Sequence, residues 1–468
     1  ACDGANSFCA ARLGLVYDGL MNLANSRSTL FHSPNLLDLV RPKLGECLQY
    51  HVVRKGVGAG WFVMSCPVEN LWTFHLVVLE SGRPPKSIGE EEMVDYIRTF
   101  LGAGADFEVV YTNRWYWNFF VSRFFFKNRI VFAGDAVHSH PPFGGLGGNT
   151  GLQDVGNLGW KIVALLRGWG GEFMLQSYES ERRAAALRTC LLVSNFSPRP
   201  SHVRIACLFA GTPLQPLLVA KWIHANSGYH NGNHYISEGI QMGIDYPYSS
   251  LSFHAKERHE PEDPPCRYTP RISEGRRLPH LHLGGGKSLC LHLVRYDYSL
   301  LYRSNVPGVT DLVRGLRESF EHLGGALNVV DYAGLLESAT DDTVALLYRQ
   351  PCAILVRPDR VVAWVARNAM AATKIVRDVA EVATGHRPMS RRYALNADCY
   401  NNYLTQRFVW GLRPVRKLFP MAEAVKSMDK RSAVKLARSK AKISDFVVVT
   451  KANQDKVDEG EIAVDMAS

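Results

Sequence analysis

No stretch of the 468 residues approaches the roughly 18 uninterrupted apolar positions that a membrane-spanning helix needs, because the most apolar runs are broken by Arg or Lys. A helical membrane protein is thereby excluded, and a soluble chain is expected. The ten cysteines, at 2, 9, 47, 66, 190, 207, 266, 290, 352 and 399, form no C-x-x-C pair and have no His at zinc-finger spacing. Zinc modules and redox dithiols are therefore excluded, and a reducing, cytoplasmic setting is the simplest expectation. Internal repeats and low-complexity tracts are absent. The chain also opens without Met or an apolar leader, at Ala1-Cys2-Asp3-Gly4-Ala5-Asn6-Ser7, and reads as a piece cut from a longer protein.

Hydrophobic residues make up 46% and charged residues 21%, with 39 Gly and 23 Pro, which is the composition of a globular chain. At roughly 150 residues per domain the length suggests about three domains. The net charge is +10, yet residues 371–468 hold 18 Lys and Arg against 11 Asp and Glu. The first 370 residues therefore carry only about +3, which argues against a nucleic-acid groove in the main body. Residues 413–442 hold ten basic residues and a single aromatic, Phe419, and 443–468 are acidic, so 371–468 reads as a basic, flexible tail.

Short β-branched and aromatic runs at 50–53, 60–64 and 71–78, bounded by turn residues, predict strands, and the spacing of Met93, Ile97, Phe100 and Leu101 predicts a helix over 90–101. Ile130-Val131-Phe132-Ala133 reads as a buried strand running into a Gly-rich turn. Beyond the turn, Leu152, Val155, Leu158, Ile162, Leu165 and Leu166 mark a long helix beginning near Asn149. Residues 172–245 read as helical with Pro breaks, and 255–280 as a surface linker. A smaller unit over about 284–370 has a helix at 310–323 and strands at 327–330, 353–356 and 361–365.

The chemistry-bearing segment is Gly134-Asp135-Ala136-Val137-His138-Ser139-His140-Pro141-Pro142-Phe143-Gly144-Gly145-Leu146-Gly147-Gly148-Asn149-Thr150-Gly151. A carboxylate at a strand end can accept from ribose-type hydroxyls, and glycines let the backbone approach a flat ligand edge. The free N–H groups of the following helix then favour negative charge.

This segment resembles the second flavin-binding motif of the class A flavoprotein aromatic hydroxylases, the para-hydroxybenzoate and phenol hydroxylase group. Pro142, Gly145, Gly147 and Asn149 fit its P-x-x-G-x-G-x-N. Asp154-Val155-Gly156-Asn157-Leu158-Gly159-Trp160-Lys161 fits D-x-x-N-L-x-W-K, and Tyr178-Glu179-Ser180-Glu181-Arg182-Arg183 fits Y-E-x-E-R-R. Asp3-Gly4-Ala5-Asn6-Ser7 resembles the D-G-x-x-S motif near the pyrophosphate, Trp115 to Asn118 fits as well, and Ala353–Trp364 resembles the signature of a C-terminal thioredoxin-like domain. The resemblance spans about residues 1–370.

The fold that the resemblance implies is mixed α/β. It has para-hydroxybenzoate hydroxylase-like FAD and substrate domains, truncated at the N-terminus, plus a thioredoxin-like C-terminal domain. A FAD-binding remnant is expected at 1–12 and 129–200, a substrate-binding β-sheet domain at 13–128, a helical segment and linker at 201–283, a thioredoxin-like domain at 284–370 and the tail at 371–468. The implied activity is an FAD- and NAD(P)H-dependent monooxygenase that hydroxylates a phenolic or aromatic substrate with O2 through a flavin C4a-hydroperoxide. Asp3, Gly4, Asp135, Gly145, Gly147, Gly148 and Asn149 would bind the cofactor, Pro142 would face the site of oxygen activation, and Trp115 and Trp117 would contact the substrate. A homodimer is also implied, whereas nucleic acid, metal and a membrane span are not. The family's G-x-G-x-x-G unit is absent here, Ala10 stands where it has Arg, and Gly148 stands where it usually has Met. A truncated, non-catalytic relative serving as a binding or assembly module is the alternative.

Other readings of single features are simpler. Gly56-Val57-Gly58-Ala59-Gly60 suits a hairpin turn, and Gly284-Gly285-Gly286-Lys287-Ser288 is no phosphate loop because Leu281 occupies a required glycine position. His138 and His140 lack a third ligand. Asp135 could simply end a strand, and the aromatic run 115–126 could be core as readily as substrate wall.

Overall fold

The computed structural model describes residues 1–22, 25–44, 49–54, 58–78, 89–101, 104–196, 237–253, 263–265, 267–294, 296–388, 391–412 and 424–425. The basic run 413–442, the acidic end and the tip of the Gly56–Gly60 turn lie largely outside these residues.

The chain opens with α1 (Phe8–Arg12), capped by Ser7, whose Oγ accepts from the N–H of Ala10. β1 (Tyr17–Leu20) follows, then β2 (Asn25–His32), α2 (Leu36–Leu44), β3 (Gln49–Arg54), β4 (Gly58–Cys66), β5 (Leu71–Val78), α3 (Glu90–Leu101) and β6 (Glu108–Tyr116). Strands β3-β4-β5-β2-β6 form one antiparallel sheet in that order. Its two faces differ in kind. Phe31, Phe62, Trp72 and Phe74 alternate onto the face covered by Met93 and Ile97 of α3, while Ser26, Ser28, His75 and Trp115 share the other. Helix α3 has the predicted bounds, with Glu90, Glu91 and Glu92 in the first turn, where the helix dipole favours them.

A second sheet crosses the boundary expected between residues 128 and 129. β1 pairs with β7 (Phe119–Ser122), and after a small hairpin of β8 (Phe126–Lys127) with β9 (Ile130–Val131), β7 also pairs with β10 (His138–Ser139). The sheet unit and the glycine-turn unit therefore share strands. Gly19 in β1 has φ +137° and lies against β7, where an added Cβ would stand 1.9 Å from the Phe119 carbonyl oxygen. No side chain fits there.

Helix α4 (Leu146–Leu166) and helix α5 (Phe173–Phe196) pack on this sheet around Phe119, Phe120, Phe125, Phe132, Leu158 and Leu187. α4 starts three residues before the expected Asn149, because Gly144 (φ 73°) and Gly145 (φ 64°) both take left-handed backbone and re-aim the chain into the helix. The strand expected over 130–133 is shorter than predicted. Only Ile130 and Val131 pair with the neighbouring hairpin strand, while Phe132 and Ala133 are buried and their N–H groups donate to the carbonyls of Phe125 and Ala1.

After α6 (Glu238–Gln241) and the β11 (His282–Leu283)–β12 (Lys287–Ser288) hairpin, whose tip is Gly284–Gly286, a separate four-stranded sheet begins. Its chain order is β13 (Tyr298–Tyr302), α7 (Val309–His322), β14 (Leu327–Asp331), α8 (Asp342–Arg349), β15 (Ala353–Val356) and β16 (Val362–Ala366), followed by α9 (Ala369–Thr373) and α10 (Val376–Ala383). The sheet order is β14-β13-β15-β16, with β13 and β14 parallel and the other pairs antiparallel. Part of the expected linker is anchored here: Arg276, 4% exposed, reaches Asp245 at 3.2 Å and Asp263 at 3.4 Å.

The flexible tail expected from residue 371 does not hold for 371–412. α9 and α10 pack on the four-stranded unit, and α11 (Arg391–Gly411) packs along α5, with Leu404, Phe408 and Leu412 buried in the first core. Leu404, Phe408 and Leu412, four residues apart, make a stripe just wide enough for one neighbouring helix. β17 (Ala424–Val425) adds to β1. Among the described residues no helix is long and apolar enough to cross a membrane.

Candidate functional site

The turn from Gly134 to Gly151 is held by side chains on three sides. Gly134 adopts φ +65°, and its N–H donates to Asp154 Oδ2 at 2.9 Å. Tyr17 donates its hydroxyl to the Ala136 carbonyl at 2.9 Å, and Tyr178 donates to the Phe132 carbonyl at 2.7 Å. Gly151 lets α4 press against the turn, since a Cβ there would meet the Gly134 Cα at 3.3 Å. The turn cannot drift from the helix start that follows it.

Asp154 is the centre of this arrangement. Its Oδ2 also meets His138 Nε2 at 2.6 Å and its Oδ1 accepts from Arg182 Nε at 2.7 Å, all three side chains being almost wholly buried. Arg182 continues to the Tyr246 hydroxyl and the Thr150 carbonyl. Burial alone would raise the Asp154 carboxyl, but His138, Arg182 and the Gly134 N–H outweigh it and hold the carboxyl at about 2.

Asp135, one residue beyond the anchored glycine, is exposed, and no donor reaches its carboxylate among the described residues. Desolvation by the surrounding protein raises its carboxyl, with Asp154 adding to the rise and His138 opposing it. Pro142 is exposed too, and its carbonyl accepts from the Gly145 N–H at 3.1 Å. Gly145, Gly147, Gly148 and Asn149 lie on the first turn of α4. The N–H groups of Leu146, Gly147 and Gly148 precede the first intrahelical acceptor and point out of the helix end. Asn149 is exposed in that turn and donates Nδ2 to the Gly145 carbonyl at 2.7 Å, closing it. Open space surrounds the Cβ positions of Gly145 and Gly148, so a flat ligand could lie against this end.

His140 sits beneath it. Its Nδ1 donates to the Pro141 carbonyl at 2.9 Å, its Nε2 is buried with no hydrogen-bond partner among the described residues, and burial pulls the imidazole down to about 4. Among the described residues no group of three or more His, Cys, Asp or Glu could hold a metal ion.

The Asp3-Gly4 motif comes to the same place. Ala133 N–H donates to the Ala1 carbonyl at 3.1 Å and the Ala1 amino group bonds to Val131, which sets the first residues beside the strand that feeds Asp135. Asp3 accepts from Ser7 Oγ at 2.6 Å and from the Cys9 N–H at 3.1 Å; burial opposes ionisation there, and these bonds outweigh it and lower the carboxyl. Gly4 takes φ +84°. Trp117 is buried and donates to Ser26 Oγ at 2.7 Å, and half-buried Trp115 stacks on it with centroids 6.3 Å apart.

Sequence reasoning missed what the D-x-x-N-L-x-W-K, Y-E-x-E-R-R and R-P-D stretches do together. Glu181 of α5 accepts from Lys161 at 2.9 Å and from Asn157 at 2.7 Å on α4, and from both Nη atoms of Arg357, which follows β15, at 2.7 and 2.9 Å. Arg357 also pairs with Asp359 at 2.6 Å, and Ser249 donates to Glu181. Two cations and two carboxylates are thus buried where the four-stranded unit meets the glycine-turn unit. Burial lowers Lys161 to about 8 against the pull of Glu181, whereas burial raises Glu181 less than Arg357 and Lys161 lower it.

The family model described as FAD binding domain matches residues 1–190, and the one described as Aromatic-ring hydroxylase, C-terminal matches residues 272–385. Among curated relatives, the Phenol 2-monooxygenase of Pseudomonas sp. is 27% identical over 306 residues, 61% of this chain and 48% of that protein. The Tetracenomycin A2 monooxygenase-dioxygenase of Streptomyces glaucescens is 32% identical over 187 residues, 39% of this chain and 33% of that protein. The first curated relatives are spanned over 32%, 63% and 48% of their length. In fold, the chain is similar to the flavin-dependent monooxygenase PieE, solved with FAD and substrate, at TM-score 0.65 and 24% identity, covering 82% of this chain and 69% of that one. With two family models matching in order along the chain, residues 1–190 belong to the FAD binding domain family and residues 272–385 to the aromatic-ring hydroxylase C-terminal family.

Proposed function

We propose that this chain grips the isoalloxazine and ribityl parts of FAD and faces an aromatic substrate, in a monooxygenase that uses NAD(P)H and O2 to hydroxylate a phenolic ring. The observation that carries this reading is the anchored Gly134 turn, which presents a carboxylate with no donor among the described residues beside an open, glycine-lined helix end. The residues fit the cofactor by their donor and acceptor chemistry. Asp135 would accept from the ribityl hydroxyls. The N–H groups of Gly147 and Gly148, with the dipole of α4, would hold negative charge at the pyrimidine edge, an effect of about 1–2 kcal/mol in partly buried geometry.

Bound FAD would supply reductive activation of O2. The chain's own residues would do the rest. Pro142, whose carbonyl is already held by Gly145, would form a fixed wall beside the reacting region. Trp115, backed by the buried Trp117 on which it stacks, would lie against the flat ring and exclude water. Asp3, with its carboxylate committed to Ser7 and Cys9, would act by holding Gly4 in its left-handed turn rather than by direct contact. The four-stranded unit would be a thioredoxin-like domain and, without C-x-x-C, structural rather than redox-active, with a homodimer contact there and a cytoplasmic location completing the reading.

With FAD added in excess, phenol is expected to accelerate NADPH oxidation by the purified chain several-fold and to yield a hydroxylated product. Flavin-loaded chain whose NADPH oxidation ignores phenol would overturn the hydroxylase reading.

A further inference from the structure

Each of the three guanidinium nitrogens of Arg182, on α5, has an acceptor. Nε donates to Asp154 Oδ1 at 2.7 Å, Nη2 to the Thr150 carbonyl at 3.1 Å and Nη1 to the Tyr246 hydroxyl at 3.0 Å. A guanidinium can only donate, so Tyr246 accepts. Asp154 in turn accepts from the Gly134 N–H, so three hydrogen bonds lead from Tyr246 to the residue before Asp135. Tyr246 is buried, yet it belongs to none of the elements that build the turn. Its N–H donates to the Gly275 carbonyl at 2.8 Å, and its neighbour Asp245 bridges to Arg276. Those partners are tied to the start of β16: the Gly275 N–H donates to the Val362 carbonyl and the Val362 N–H to the Arg276 carbonyl, both at 2.8 Å. Gly275 takes φ +80°, and a Cβ there would stand 2.3 Å from the Tyr246 carbonyl oxygen, so the two segments meet with no side chain between them. The Arg357 guanidinium also lies over the Tyr246 ring, 5.8 Å from its centroid. A side chain carried by the four-stranded unit thus crosses the charged interface and fixes the arginine that fixes the glycine turn.

We propose that Tyr246 is a positioning residue for the flavin-binding turn: its hydroxyl holds Arg182 so that Asp154 keeps the Gly134 N–H and Asp135 is presented in one direction. This deepens the functional reading above and rests on it for the ligand. A planar guanidinium pinned at Asp154 and Thr150 alone can still tilt about the line joining those two contacts, and the Tyr246 hydroxyl is the third point that stops it. Gly134, at φ +65°, has no side chain of its own to hold the turn, so a tilt that moves the Asp154 carboxylate moves the turn with it. The four-stranded unit contributes to the flavin site in this way without touching it.

Tyr246→Phe in the 468-residue chain removes the hydroxyl and keeps the ring beneath Arg357. Without any ligand, hydrogen exchange at the Gly134 amide should be about tenfold faster than in wild type, with the amides of β7 and β16 unchanged, whereas a general loss of stability would speed all three. Riboflavin titration followed by fluorescence should show an affinity roughly fivefold weaker, the effect of one hydrogen bond. The Asp135→Ala background separates positioning from stability. There Tyr246→Phe should cost less than about twofold, because the carboxylate it serves is gone, whereas an effect on stability alone would cost the same factor in both backgrounds. The proposal is overturned if Gly134 exchange in Tyr246→Phe matches wild type, if it rises only together with β7 and β16, or if riboflavin affinity is unchanged or falls by equal factors in the two backgrounds. The exchange measurement needs no flavin, so the two readings can fail separately. Faster exchange confined to the turn in a chain that binds no riboflavin refutes the flavin reading alone, whereas riboflavin bound equally by wild type and Tyr246→Phe refutes only this inference.

Discussion

Glu181→Ala is expected to lower stability by about 3–5 kcal/mol, the usual consequence of stranding buried charge. Glu181 is 2% exposed and is the acceptor shared by Lys161, Asn157, Ser249 and Arg357. Without it, two buried cations face Asp359 alone. Lys161→Met should cost much less, because Glu181 keeps its two-point contact with Arg357. Denaturant unfolding followed by circular dichroism checks both variants. Because the cluster joins α4 and α5 to the end of β15, Glu181→Ala should also uncouple the two units, so that one broad transition splits into two. A Glu181→Ala protein within about 0.5 kcal/mol of wild type, or less affected than Lys161→Met, would show that the cluster does not hold the units together.

The second large effect belongs to Asp154. Asp154→Ala leaves Arg182 unpaired in the core and removes the acceptor that fixes the Gly134 N–H, so a loss of about 3–5 kcal/mol is expected, together with loss of flavin binding. Asp154→Asn keeps an acceptor oxygen and should fall between alanine and wild type. The pH dependence has a definite sign. The folded carboxyl is held at about 2, below its value of about 4 in the unfolded chain, so its stabilisation is complete above about pH 5 and is lost as pH falls toward 2. A carboxyl held that far below its unfolded value contributes about 3 kcal/mol at neutral pH. Acid unfolding of Asp154→Asn should therefore show a shallower dependence between pH 5 and 2 than wild type. Parallel curves for the two proteins would contradict the assignment.

The glycine turn was legible in the sequence because its chemistry is local. Positive-φ glycines, a carboxylate at a strand end and a helix start all lie within 18 consecutive residues, and each leaves a mark on residue type. Helix α3 and the strands of the large sheet were legible for the same reason, through their periodicity. The charged clusters were not. Asp154 with Arg182, and Glu181 with Arg357, are pairs brought together across 28 and 176 positions by helix packing and by the docking of β15, and no spacing rule encodes that. Helix α11 was hidden by its own composition, since its short stripe of buried residues four apart is interrupted by Thr405, Gln406 and Arg407 and joined by exposed Tyr403, Val409 and Trp410, which blur the period. The 128/129 boundary failed because β7 and β10 are joined by backbone hydrogen bonds, which residue identity specifies only weakly.

The central claim, that the anchored turn was shaped to hold the isoalloxazine and ribityl parts of a flavin, is tested most directly by titrating the chain with riboflavin and with FAD while following flavin fluorescence, in wild type and in Asp135→Ala. Asp135 is exposed and accepts no hydrogen bond among the described residues, so its removal should leave folding intact. Saturable quenching by wild type is expected with both flavins, with an affinity at least about tenfold weaker in Asp135→Ala, as for the loss of a charged acceptor. Equal affinity in the two proteins, or no quenching by wild type with either flavin, would contradict it.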